Sequence, residues 1–290
     1  MQLRRASAIV LFVAALVLSA GGAATQPKFA FPLQPNSVRF AVIGDMGSGK
    51  RPQMELATQM ATQRALFPFE FVLTVGDNIY TGNKPSDFEK AFSVPYKTLL
   101  DAGVLFYATL GNHDDTNQRF YKPYHMDGQN YYTFKKRGVR FFALDSNYMD
   151  PKQLAWLETQ LKQASEGEWK IAYFHHALYS SARFHGSAFD LRKVLEPLFV
   201  KYGVDVVFSG HDYVYERVRP QKGIYYFTEG ASGELRAGNL KSGSAITAKG
   251  FDSDRSFMTV EIAGDDLYFQ ATSRLGVAVD SGVIHRTIRP

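Results

Sequence analysis

Apolar residues fall in short clusters along this chain, and the spacing inside each cluster separates strands from helices. Val38–Ile43, Phe69–Val75 and Val104–Leu110 are short runs rich in β-branched and aromatic residues, which predicts buried strands. Gln53–Leu66 has helical spacing between the first two, and Phe88–Leu100 precedes the third. Val139–Leu144 reads as a further strand. In Gln153–Gln163, Leu154, Leu157 and Leu161 recur at intervals of three and four, the mark of an amphipathic helix. Strand Lys170–Phe174, helix Phe189–Tyr202 and strand Val204–Phe208 follow. Gly223–Thr228, Phe257–Ala263 and Asp266–Thr272 then read as strands with little helix between them, and Gly264-Asp265 fits a hairpin turn. The alternation predicts βαβ units with parallel pairing, and the tail predicts antiparallel additions. Ser232–Gly250, rich in Gly, Ser, Ala and Lys, reads as a mobile surface loop.

The first residues carry a different pattern. Arg4 and Arg5 precede an apolar run from Ala8 to Leu18, and small residues follow to Ala24. This predicts a secretory signal peptide over residues 1–24, cleaved near Ala24. The run is short for a span of about 30 Å of hydrocarbon. Residues 25–37 read as an irregular lead-in and 38–290 as one domain. The expected location is secreted or periplasmic, with no membrane anchor after cleavage. The chain of 290 residues has no cysteine, which excludes disulfides and thiolate metal sites. Without residues 1–24 the formal charge falls from +5 to +3, since only Arg4 and Arg5 are lost. That balance tolerates an anionic substrate but is no nucleic-acid footprint.

The candidate chemistry lies just past the predicted strands, where open α/β sheets gather functional residues. Gly44-Asp45-Met46-Gly47 follows the first strand, Gly76-Asp77-Asn78-Ile79-Tyr80 the second and Gly111-Asn112-His113-Asp114 the third. His175-His176 and Gly210-His211-Asp212-Tyr213 follow two later ones. The glycines are expected to let the chain turn sharply, so that each next side chain enters a shared pocket. One Gly-Asp is ordinarily a turn. Several strand ends bearing Asp, Asn, His or Tyr together point to oxygen and nitrogen ligands around metal ions.

As an ordered set, GDMG, GDNIY, GNHD, FHH and GHDY resemble the signature of the calcineurin-like metallophosphoesterases. The tyrosine of GDNIY, with GHDYVYER and QLAWLETQL, is similar to the purple acid phosphatase (tartrate-resistant type) branch. The resemblance implies a four-layer αββα sandwich, two mixed β-sheets flanked by helices. It also implies hydrolysis of phosphate monoesters by a metal-bound hydroxide, with a diesterase or nuclease as the neighbouring alternative. Two metal ions are implied, iron at the first site and iron, zinc or manganese at the second. Asp45 and Tyr80 would bind the first ion, Asp77 would bridge, and Asn112, His175 and His211 would bind the second. His113 would face the leaving oxygen with Asp114 orienting it, and His185 would be a second substrate-facing histidine. Such a centre suits the chemistry, because two ions about 3.5–4 Å apart acidify a water and clamp an in-line displacement.

One position departs from the family pattern. Its last motif reads Gly-His-x-His, and Tyr213 stands where the second His belongs. On an extended strand, residues i and i+2 share a side, so Tyr213 is expected where that imidazole would sit. It could ligate as a phenolate, stay protonated and only hydrogen-bond, or leave the first site weak and the protein catalytically impaired. His176 is set aside as a substitute because neighbours on a strand face opposite ways. Gly44–Lys50 matches most of a phosphate-binding P-loop, but Arg51 stands where that motif needs Ser or Thr.

Overall fold

In the computed structural model, which describes residues 29–286, the chain order is as follows. It runs β1 (Val38–Ile43), α1 (Arg51–Leu66), β2 (Phe71–Val75), α2 (Pro85–Phe88), α3 (Lys97–Asp101), β3 (Leu105–Thr109), β4 (Tyr132–Lys136) and β5 (Val139–Ala143). Next come α4 (Pro151–Gln163), β6 (Trp169–Tyr173), α5 (Phe189–Tyr202), β7 (Val206–Ser209), β8 (Tyr215–Val218) and β9 (Tyr225–Glu229). The chain closes with β10 (Thr247–Phe251), β11 (Ser256–Ala263), β12 (Asp266–Ser273) and β13 (Ala278–His285). The predicted signal peptide lies outside the described residues. No helix among them is long and apolar enough to cross a membrane.

The strands form two sheets. One has the order β13-β12-β11-β1-β2-β3, the other β10-β8-β9-β7-β6-β5-β4. In the first, β1, β2 and β3 are parallel, β11 pairs antiparallel with β1, and β12 and β13 continue as an antiparallel meander. In the second, β5, β6, β7 and β9 are parallel, and β4, β8 and β10 are antiparallel additions.

The period-two alternation of each strand sets the layers. Phe40 and Val42 of β1 face Phe141, Ile171 and Phe208 of the other sheet, in one buried core. Ala41 and Ile43 point the other way, onto Leu56, Ala57 and Met60 of α1. Phe142, Ala172 and Val207 likewise meet Leu157 and Leu161 of α4 and Leu195 and Phe199 of α5. The result is helix–sheet–sheet–helix, the four-layer sandwich the sequence predicts. At the centre, Phe40, Phe71 and Phe141 lie 5.3–5.5 Å apart. Burying each ring contributes roughly 1.5–3 kcal/mol.

The predicted helix Phe88–Leu100 is broken. Its place holds the end of α2, a π-turn at Glu89–Ser93 and then α3. Pro95 has no N–H to continue the ladder. The Ala91 carbonyl is instead taken by the buried Gln53 side chain at 2.6 Å.

Candidate metal centre

The exits of β1, β2, β3, β6 and β7 meet at the seam of the two sheets, and the backbone there is unusual. Asp45 (φ 53°), Asp77 (φ 52°), His211 (φ 74°) and Tyr213 (φ 52°) all adopt left-handed conformations. Non-glycine residues rarely do so, and such strain gathers at functional sites. The glycines serve two purposes. Gly76 is itself left-handed (φ 89°), the sharp turn expected. Gly44 and Gly111 are not; they permit close approach. A Cβ at Gly111 would lie 2.1 Å from Asp77 Oδ1, and one at Gly44 2.5 Å from the Glu229 carbonyl oxygen.

The side chains converge as a result. Ligand atoms of Asp45, Asp77 and His175 all lie within 4.8 Å of one another, and all three residues are fully buried. The Tyr80 hydroxyl donates to Asp77 Oδ2 at 2.9 Å and sits 3.2 Å from Asp45 Oδ1. The amide of His211 donates to Asp45 Oδ2 (2.8 Å), and that of His113 to Asp77 Oδ1 (2.9 Å).

The environment of His175 tests whether a cation fits. Its Nδ1 lies 2.9 Å from the Val75 carbonyl oxygen, which can only accept, so Nδ1 carries the proton. Burial, and then His176 beside it, push its proton affinity well below the ordinary imidazole range, so the ring is neutral. Nε2 then bears a lone pair. It faces Asn112 Oδ1 at 3.0 Å, His211 Nδ1 at 3.1 Å and Asp77 Oδ2 at 3.5 Å. An N–H from His211 could satisfy the imidazole, and Tyr80 donates to Asp77 Oδ2, but Asn112 Oδ1 is left without a proton. A cation amid these acceptors satisfies them together, and an oxygen and nitrogen set without sulfur suits iron, zinc or manganese.

The electrostatics agree. Burial, and then Asp77, hold the Asp45 carboxyl well above the ordinary range, and burial also raises Asp77. Burial pushes His211 down to about 2, with His175 adding to the effect. Burial, then Asp45 and Asp77, push the Tyr80 phenol far up, while burial takes Tyr213 to about 12. Buried carboxyls that favour protons beside imidazoles that refuse them are compatible with a site that holds positive charge.

His113 is exposed, its ring 5.1 Å from that of Tyr80. His185 is exposed too and stacks on His211 at 3.8 Å between ring centres. Asp114 departs from its expected role of orienting His113. Its carboxylate accepts from the amides of Asn78, Ile79 and Gly111 and from the Asn78 side chain, at 2.8–3.1 Å. It ties the β2 exit to the β3 exit. Burial pushes its carboxyl up to about 7.

Tyr213 reaches the site by a route other than the one expected. Residues 211–214 lie outside any strand, so strand alternation does not place them. The left-handed backbone at Tyr213 brings its ring 6.3 Å from that of Tyr80, nearly perpendicular.

Alternation fails at His176 for the same reason. His175 and His176 lie past the end of β6, and the His176 ring sits 4.5 Å from His211 with Nδ1 2.8 Å from Ser146 Oγ. His176, Asp145, Ser146 and Asn147 line a cavity of about 360 Å³ beside Asn112. Sequence reasoning missed these last three, although they follow β5 as the other motifs follow their strands. The expected surface loop at Ser232–Gly250 is anchored at Ser232 and Asn239, both buried, and ends in β10.

Comparison with known proteins now adds to this geometry. The family model described as calcineurin-like phosphoesterase matches residues 38–215. Purple acid phosphatase 4 of Arabidopsis thaliana is 26% identical over 274 residues, covering 81% of this chain and 80% of that protein. Tartrate-resistant acid phosphatase type 5 of Oryctolagus cuniculus is 26% identical over 239 residues, covering 67% and 73%. Among solved structures, a purple acid phosphatase from yellow lupin (Lupinus luteus) seeds superposes with a TM-score of 0.74 at 20% identity, covering 88% of this chain and 55% of that one.

Proposed function

This chain belongs to the calcineurin-like phosphoesterase family and is a phosphoric ester hydrolase, and from that premise we propose that it hydrolyses phosphate monoesters at a dinuclear metal centre. The observation that carries the proposal is the convergence of Asn112 Oδ1, His211 Nδ1 and the buried Asp77 Oδ2 on His175 Nε2. Asp45 and Tyr80 would hold a first ion, iron, Asn112, His175 and His211 would hold a second, iron, zinc or manganese, and Asp77 would serve both. When bound, the ions supply an acidified water and a clamp on the phosphoryl oxygens.

The chain's own residues do the rest. Asp77 Oδ1 is held by the His113 amide before any ligand arrives, whereas the Tyr80 hydroxyl, which donates to Asp77 Oδ2, would release its proton on binding an ion. The His113 imidazole is exposed at the mouth and can give a hydrogen bond or a proton to the leaving oxygen. His185, stacked on His211, faces the substrate from the other side. Residues 1–24 act as an export signal, so the enzyme works outside the cytoplasm.

Asp45→Ala and His113→Ala should each lower monoester turnover by at least about 100-fold, the usual share of such groups. Circular dichroism should stay unchanged. Wild-type activity in both variants defeats the assignment. Parallel assays on a monoester and a diester separate a phosphatase from a diesterase. Metal analysis with a visible spectrum reads tyrosinate-to-iron absorption directly. A second reading has its own support in Tyr213, whose neutral phenol stands beside Tyr80 where the family has a histidine. It is a metal-binding protein impaired in turnover, and it predicts metal uptake without hydrolysis at any pH.

A further inference from the structure

Arg236 lies in the segment after β9, at the rim of the site, and its position is fixed. Its amide donates to the Tyr213 carbonyl oxygen (3.1 Å), and its carbonyl accepts from the Asn239 amide (3.3 Å). The buried Asn239 joins this segment to the one bearing His185. Its Nδ2 donates to the Asp212 carbonyl oxygen at 2.9 Å, and its Oδ1 accepts from the amides of Arg183 and Phe184. The Arg236 guanidinium is thereby held between two rings, its carbon 3.5 Å from the Phe184 centroid and 5.2 Å from that of Tyr213.

No close ion pair compensates this cation. Among the described residues Arg236 makes no ion pair within 4.0 Å, and its Nη1 is buried with no hydrogen-bond partner. Asp212 and His185 both feel its charge, yet neither takes its protons; Asp212 Oδ2 is also without a partner. A buried donor without an acceptor is costly and uncommon, especially on a charged group. Here it stands next to residues suited to hold cations, where a further positive charge is repelled. An anion between the two removes both penalties. The guanidinium fork matches phosphate oxygens in geometry as well as in charge.

We propose that Arg236 is a substrate-orienting residue that hydrogen-bonds a non-bridging phosphoryl oxygen and so favours dianionic monoesters over monoanionic diesters. The inference rests on the phosphoesterase reading of the adjoining centre and adds a determinant of substrate class. A diester offers one negative charge fewer to the guanidinium and carries a second ester group on the same face.

The test uses the metal-loaded full-length protein and the variants Arg236→Met and Arg236→Lys. Inorganic phosphate binding is measured by calorimetry, and kcat and KM on an aryl phosphate monoester and a bis-aryl diester. Loss of a charge-assisted hydrogen bond predicts about tenfold or greater weakening of phosphate binding in Arg236→Met. The monoester KM should rise by a similar factor, kcat should change less, and the monoester-to-diester ratio should fall. Arg236→Lys keeps the stem over Phe184 and the charge but not the fork, and should recover part of the loss. Added guanidinium ion should restore phosphate binding to Arg236→Met. Phosphate affinity and substrate ratio unchanged in both variants overturn the proposal. So does an equal fall on both esters with lost metal, which marks a structural role. If the wild type hydrolyses no monoester, the phosphate titration still reads Arg236, so the two ideas fail separately.

Discussion

Buried carboxyls divide into those awaiting a cation and those that are simply buried, and Glu229 at the end of β9 is of the second kind. It has no exposure; Oε1 accepts from Ser256 Oγ at 2.8 Å and Oε2 has no partner. Burial pushes its carboxyl up to about 8, from the ordinary 4.5. Above pH 4.5 the unfolded chain releases this proton while the folded chain keeps it, so folding is progressively disfavoured up to pH 8 and constant beyond. The effect across that window is on the order of a few kcal/mol. Glu229→Gln should remove it. Urea midpoints should be nearly equal for the two proteins at pH 4.5 and higher for the variant at pH 8. A wild-type pH slope that persists in the variant would assign the effect elsewhere. The folded protein thus gains stability on the acidic side of that window. Sequence showed Asp45, Asp77 and His175 because each directly follows a strand and several strand ends repeat the pattern. It could not show Glu229 as neutral, since that depends on the Ser256 strand packed above it.

At the level of elements, most strands that were read correctly are buried on both faces, where apolar runs are continuous, while β3 and β12 show alternating burial. Those missed are partly exposed or short: β4 (YTFKK), β10 (TAKGF), β13 and β8. Their sequences are polar or mixed because one side meets solvent or an edge. The connections matter more for chemistry, and Asp114 shows why. The β2 and β3 exits must hold Asp77 and Asn112 at fixed separation, and Asp114 does this through the amides of Asn78, Ile79 and Gly111. Asp114→Ala leaves these donors without a protein acceptor. It should cost at least about 2 kcal/mol by chemical denaturation. It should also weaken metal affinity, read by a competing chelator, while leaving His113 in place. Asp114→Asn keeps an acceptor oxygen and should fall between the two. If Asp114→Ala is as stable as wild type and loses only turnover, the residue acts on His113 after all.

For the whole molecule, the two sheets each bring candidate ligands to one seam. The sheet of β1, β2 and β3 supplies Asp45, Asp77 and Asn112; the sheet of β6 and β7 supplies His175, His211 and Tyr213. This division was legible as an order of motifs, but not the seam, which depends on which faces pack together. Metal ions that bind only the assembled seam must stabilise it, by about 2.7 kcal/mol at 100 times the dissociation constant. Thermal midpoints should therefore rise with added metal and fall with chelator. Phe141→Ala tests how rigid the seam is. Phe141 packs against Phe40, Phe71 and Phe134, none of them a candidate ligand. Its loss should cost about 3–5 kcal/mol. If the sheets form a fixed frame, the metal increment should be the same in Phe141→Ala as in wild type, within about 0.5 kcal/mol, as for sites that share no partners. A smaller increment in the variant would mean that the core sets the ligand geometry directly, and that the left-handed turns at Asp45 and Asp77 are held by the sheets behind them as well as by their own loops.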